Sequence, residues 1–198
     1  MLLMTISVTG VMRQMIFTHD TELTLRAACV LINSDRVGGD DLGDIAGLDA
    51  YLAEFGWTGR RDRDGAELAE VHRLRERIGR LWAAADDEER AVGQVNALLS
   101  DTKASPWLTR HAEMPEWHLH LASIHDPLAR RMGAEMAMAL ADLIRGGELR
   151  RLKICAAPDC EAALFDVSRN RSKIFCDTGN CGNRQHVAAY RERRGNQG

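Results

Sequence analysis

Cys155-Ala-Ala-Pro-Asp-Cys160 and Cys176-Asp-Thr-Gly-Asn-Cys181 repeat one spacing, four residues between cysteines, with fifteen residues separating the two pairs. Together they hold four of the five cysteines in the chain. A loop of this length brings two sulfurs to one point. Two such loops supply the four thiolates of a tetrahedral zinc shell, with Zn–S of about 2.3 Å. A full shell leaves no position for water, so the reading is one structural Zn2+ rather than a catalytic one. Residues 150–194 are too few to be secure on an apolar core alone, and zinc ligation adds about 10–16 kcal/mol of folding free energy. An iron–sulfur cluster or two disulfides would use the same four residues. Paired spacing without a secretion signal favours thiolate ligation over disulfides.

Working outward from the cysteines, Ala163–Val167 reads as a strand, 168–172 as a polar turn, and Lys173–Cys176 as the returning strand of a hairpin. A helix is expected from Gly182 to about Arg194. Knuckle, hairpin and ligand-bearing helix in that order give a treble-clef-like finger. Its candidate nucleic-acid contacts are Arg169, Arg171 and Lys173 at the hairpin tip and Arg184, Arg191, Arg193 and Arg194 on the helix. Arginine reads guanine edges, although most protein–DNA contacts go to phosphates. Asn183 and Arg184 directly follow a cysteine ligand, so hydrogen bonding within the finger is an equal use for them. From Glu148 onward ten Lys and Arg face six Asp and Glu, whereas the preceding residues hold sixteen against twenty-three. The chain is thus an acidic body with a basic tail, despite a net charge of only -3. That asymmetry suits an anionic partner for the tail.

These residues carry a family resemblance. The two cysteine pairs, Phe165-Asp166-x-Ser168-Arg169-Asn170, Cys181-Gly182-Asn183-Arg184 and Tyr190-Arg191 resemble the CGNR zinc finger, named for the motif at 181–184. More loosely, the upstream region is similar to the ABATE domain that precedes such fingers in bacterial stress-induced transcription regulators, with Asn33 after an apolar helix as its hallmark. The resemblance implies a zinc-dependent bacterial regulator that binds DNA.

The upstream residues read independently as mainly α with one small β-hairpin. A helix over 20–34 is capped by Asp20 and turns Leu23, Ala27, Val30 and Leu31 inward; Cys29 within it reads as a small buried hydrophobe. A loop at Gly38–Asp44 leads to a short helix with Leu48, Leu52 and Phe55 inside and Gly56 at its end. Asp64 caps a longer helix striped by Leu68, Val71, Leu74, Ile78 and Leu81 or Trp82, with Arg73, Glu76, Arg77 and Arg80 on a solvated face. Asp86–Glu89 start another helix, with Val92, Val95, Leu98 and Leu99 inside. Period-two runs at Trp107–His111 and Trp117–Leu121 flank a turn at Glu113–Pro115 and form a hairpin. Asp126-Pro127 then opens a helix, with proline at its first position, carrying Leu128, Met132, Met136, Leu140 and Leu143 to Gly146. The expected organisation is a disordered or extended 1–17, a helical domain over 18–147 and the finger over 148–198.

His118 and His120 share one face of the second hairpin strand, with His111 and His125 nearby. Such an offset suits metal ligation, and an alternating solvated strand gives the same pattern without a ligand. No apolar run approaches the ~20 residues of a membrane span, and the N-terminus lacks a signal-peptide pattern, so a reducing cytoplasm is the expected setting. No nucleophile–base pair, phosphate loop or carboxylate constellation points to an enzyme. The leading expectation is a DNA-binding regulator whose helical domain senses a signal or forms a homodimer. A zinc-stabilised protein- or RNA-binding module and a thiol redox sensor are the alternatives.

Overall fold

The computed structural model describes residues 18–36, 39–111 and 114–195. The expectations for 1–17, Gly38 and Glu113 lie outside these residues, as does the side chain of His111. Six α-helices and three two-stranded antiparallel sheets are present among the described residues: α1 (His19–Asn33), β1 (Asp35–Arg36), β2 (Gly39–Asp40), α2 (Ile45–Glu54), α3 (Gly65–Ala83), α4 (Glu88–Thr102), β3 (Trp107–His111), β4 (Met114–His120), α5 (Leu128–Arg145), β5 (Leu152–Ile154), β6 (Ala163–Phe165) and α6 (Cys181–Gly195). A single 3-10 turn, Leu149–Arg151, joins α5 to β5. No described helix is long and apolar enough to cross a membrane.

The helix starts follow from their caps. Asp44, Asp64 and Asp87 each accept a hydrogen bond from the backbone N–H three residues on, satisfying a donor the helix cannot. α1 differs from expectation: Thr18 stands at its cap, and the Asp20 carboxylate accepts from the Thr21 N–H instead. Its inner face is rotated as well. Leu25, Ala27, Ala28 and Leu31 are buried, while Leu23 is only half-buried and Val30 is exposed. α5 begins at Leu128, so Pro127 is the cap and not the first helical residue. Asp126 braces the turn before it, accepting from the Ser123 N–H and from Arg130. Residues 39–40, expected within a loop, pair as β2 with β1.

α5 lies at the centre, against α1, α3 and α4. Leu128, Met132, Met136, Leu140 and Leu143 are all buried, as their spacing requires. Gly133 permits the closest approach here: a Cβ on it would stand 3.0 Å from Thr102 Cγ2 and 3.3 Å from Leu74 Cδ1. The β3–β4 hairpin forms as expected, with Thr109 opposite His118 and Trp107 opposite His120.

The C-terminal hairpin corrects the sequence reading. β6 pairs with β5, Leu152 opposite Phe165 and Ile154 opposite Ala163, not with Lys173–Cys176. The latter segment is irregular, joined to the first cysteine loop by the Ala156 N–H and the Ile174 carbonyl at 2.8 Å. The physical reason is burial. Ala163, Leu164 and Phe165 are all buried, with β6 against α1 and β5 against α3. Leu149, Leu152, Ala163 and Phe165 belong to the same apolar cluster as Leu25, Ile78 and Leu140. The four cysteines form a separate small cluster with Ala157 and Ala162.

Candidate metal centre

Each sulfur is positioned by a short backbone device. The first loop is closed by the Cys160 N–H to the Ala157 carbonyl at 3.1 Å and held to the sheet by the Cys155 N–H to the Ala162 carbonyl at 2.8 Å. The Cys176 N–H points at Cys155 Sγ, 3.4 Å away, which ties the second pair to the first. Cys181 opens α6, preceded by Asn180 in the left-handed region at φ 48°. Gly179 is dictated by the sulfurs themselves, because a Cβ there would stand 2.9 Å from Cys181 Sγ.

The four sulfurs lie within 4.8 Å of one another, with Cys160–Cys176 at 3.7 Å and Cys176–Cys181 at 3.6 Å. A tetrahedron of Zn–S bonds of about 2.3 Å has edges of about 3.75 Å, so the set matches that shell. All four cysteines are unpaired, as Cys29 is too. Burial opposes the Cys176 thiolate, but the Thr178 hydroxyl, the Gly179 N–H and the neighbouring Cys181 and Cys160 thiols outweigh it and lower that thiol below its ordinary value. Arg184 reaches Cys181 Sγ at 3.2 Å and Asp159 at 2.7 Å, linking the second cysteine pair to the first loop. Four thiolates around Zn2+ carry a net -2, and this guanidinium offsets part of that charge.

A second set of polar residues holds the finger in shape, and the sequence reading missed most of it. Asp166 is 0% exposed. Its carboxylate accepts from Lys153 Nζ at 2.6 Å, the Lys173 N–H at 3.0 Å and the Ser168 N–H at 2.8 Å. Burial opposes its charge, yet these donors hold the carboxyl below the usual range. Lys153 also donates to the Arg171 and Lys173 carbonyls. Arg151, 2% exposed, donates to the Asp166 and Ser168 carbonyls and to Glu148. The only advance signal was the Phe165-Asp166-x-Ser168 run, which gave no partner for the carboxylate.

Asn33 is a joint between helix and finger. Its Oδ1 accepts from the Ala163 N–H at 2.8 Å and its Nδ2 donates to the Ala163 carbonyl at 2.9 Å. A side-chain amide thereby stands in for a neighbouring strand along the open edge of β6. The Cys29 thiol donates to the same carbonyl at 3.2 Å, and burial pushes it up to about 11, which suits packing and not reactivity.

The seven basic candidates divide. Arg184 is engaged as described, Arg171 reaches Glu148 at 3.3 Å and Lys173 pairs with Asp177. Arg169, Arg191, Arg193 and Arg194 are exposed. Arg194 lies over the Tyr190 ring at 5.8 Å. Arg73 and Arg80 of α3 sit beside Glu70 and Glu76, as a solvated face would have them.

No curated protein matches the sequence. Residues 151–194 match the CGNR zinc finger. With the sulfur geometry, that match makes the site a structural one for a single zinc ion. Residues 25–147, more than half of the chain, match the ABATE family, described as "putative stress-induced transcription regulator", and to that family the chain belongs.

Proposed function

We propose that this protein is a bacterial, cytoplasmic transcription regulator that binds DNA through its finger, with the helical region sensing a signal or pairing with a second copy. The family description supports regulation. The observation that carries the DNA reading is the exposed set Arg169, Arg191, Arg193 and Arg194, on a finger whose other candidates, Arg171, Lys173 and Arg184, are engaged internally. α6 would lie along the duplex, with arginines from its last turns on phosphates and Arg169 reaching the backbone from the 168–171 turn. In this arrangement zinc does no chemistry; it fixes the start of α6 relative to that turn.

Four phosphate contacts predict a slope of about -3.6 in log affinity against log salt. Fluorescence anisotropy on genomic duplex fragments over a salt series measures it. Replacing Arg191 and Arg193 together by alanine is expected to flatten the slope by about 2. Absence of binding at low salt, or a slope the double variant does not change, contradicts the reading. A zinc-stabilised protein-binding module is the second reading, favoured by Val187 and Tyr190, which stand exposed along α6.

A further inference from the structure

The two histidines on β4 are not accounted for by the finger. His118 and His120 face a cavity of about 500 Å³ bounded by α1, the segment after α2, the end of β4 and α5. Their Nε2 atoms stand 3.2 Å apart, and His118 is buried. His118 Nδ1 lies 2.9 Å from the Glu116 carbonyl oxygen. A carbonyl only accepts, so Nδ1 carries a hydrogen, and in the neutral tautomer this fixes, the Nε2 lone pair faces the neighbouring imidazole. Glu135 of α5 lines the same cavity, and its Oε1 accepts from the N–H of Leu121, the residue after His120, at 3.1 Å. A carboxylate is therefore anchored one residue beyond the imidazole pair.

We propose that His118, His120 and Glu135 form a second metal site, for a divalent transition ion such as Zn2+, Co2+ or Ni2+, with its remaining coordination positions open to the cavity. Two nitrogens bound at about 2.0–2.1 Å on a tetrahedral ion are about 3.3 Å apart, and the Nε2 atoms already stand close to that separation. Imidazole nitrogen with one carboxylate selects borderline ions over calcium or magnesium. The Nδ1–H to a backbone carbonyl is the outer contact that fixes the ring of a metal-bound histidine. The three donors are less drawn together than the cysteines, whose sulfurs are the only such cluster within 4.8 Å among the described residues. Glu135 closes the set by turning its carboxylate toward the imidazoles. Binding also needs the His120 Nε2 lone pair, so that ring carries its hydrogen on Nδ1 in the bound state. Where the cysteine shell is full, this one leaves positions for water or a small ligand. The site is independent of what the finger touches.

Cobalt(II) titrated into the zinc-loaded full-length protein tests the site, followed by calorimetry and the visible spectrum. The expected result is one cobalt bound beyond the finger's zinc, with weak nitrogen–oxygen d–d bands and no thiolate charge-transfer band. His120→Gln and Glu135→Gln are each expected to weaken it by about tenfold or more, with their melting temperatures measured metal by metal against the wild type. His125→Gln, at an exposed residue outside the cavity lining, is expected to leave it unchanged. A wild-type protein that binds no second ion overturns the proposal and leaves the histidines as a hydrogen-bonded pair. Unaltered affinity in both variants, or a thiolate band showing exchange at the cysteines, overturns it equally.

Discussion

Asn33 illustrates how one side chain can matter more for joining than for binding. Its amide answers both the N–H and the carbonyl of Ala163, from a helix more than a hundred residues away in sequence. Asn33→Asp keeps the size but sets an acceptor against the Ala163 carbonyl, leaving the two buried oxygens with only the weak Cys29 thiol as a donor. Loss of about 2–3 kcal/mol is expected in urea unfolding; a change within error would show that the joint is not structural. Arg184 makes the parallel case inside the finger. Arg184→Ala removes its contacts to Cys181 and Asp159 and is expected to weaken zinc by about 10–100-fold in competition with a chromophoric chelator. An unchanged zinc affinity would return Arg184 to the list of nucleic-acid contacts. The cysteines were legible in sequence because the spacing alone states their geometry. The partner of Asn33 was not, because nothing near it in sequence marks Ala163 as an open strand edge.

At the scale of elements, the helices and the β3–β4 hairpin were readable, whereas the partner of β6 and the β1–β2 pair were not. Capping aspartates and 3.6-residue periodicity are local signals, so α2, α3 and α4 begin where Asp44, Asp64 and Asp87 indicate. β6 has three residues, and its choice of β5 over Lys173–Cys176 is made by α1 and α3, against which the β5–β6 pair packs. The β1–β2 ribbon is anchored similarly from outside: Arg75 of α3 binds both carboxylate oxygens of Asp40, at 2.7 and 2.9 Å, and the Ser34 hydroxyl. Arg75 holds the Asp40 carboxyl below its ordinary range. Since the folded value lies below the unfolded value of about 3.9, this stabilisation is complete above that pH and disappears as pH falls through the lower folded value. The stability gap between wild type and Asp40→Asn should therefore be fully present at about pH 5 and close in stronger acid. Contributions common to both proteins, including loss of zinc, cancel in that difference. A gap that persists undiminished in strong acid would contradict the assignment.

For the molecule as a whole, the two family matches abut at residues 147 and 151, yet the apolar cluster runs through that boundary. Phe165 and Leu152 pack with residues of the helical body, and Trp82 of α3 donates its indole N–H to the Lys153 carbonyl at 3.0 Å. Phe165→Ala is expected to cost about 3–5 kcal/mol and to shift unfolding read at the helical body, by far-ultraviolet dichroism, as well as at the finger. A shift confined to the finger would indicate that the two parts unfold separately. The charge and cysteine content behind the expected division near residue 148 report surface and ligands, and the apolar faces that meet across it are set by packing that neither signal describes.

The central claim is that four cysteines hold one zinc ion in a full shell. Native mass spectrometry of the purified protein, followed by alkylation after unfolding without reductant, tests it directly. The account predicts one tightly retained zinc per chain and all five cysteines alkylated, with the zinc and the helicity of α6 lost together in Cys181→Ala. Iron in place of zinc, or a metal-free protein in which only one thiol is alkylated, would contradict it.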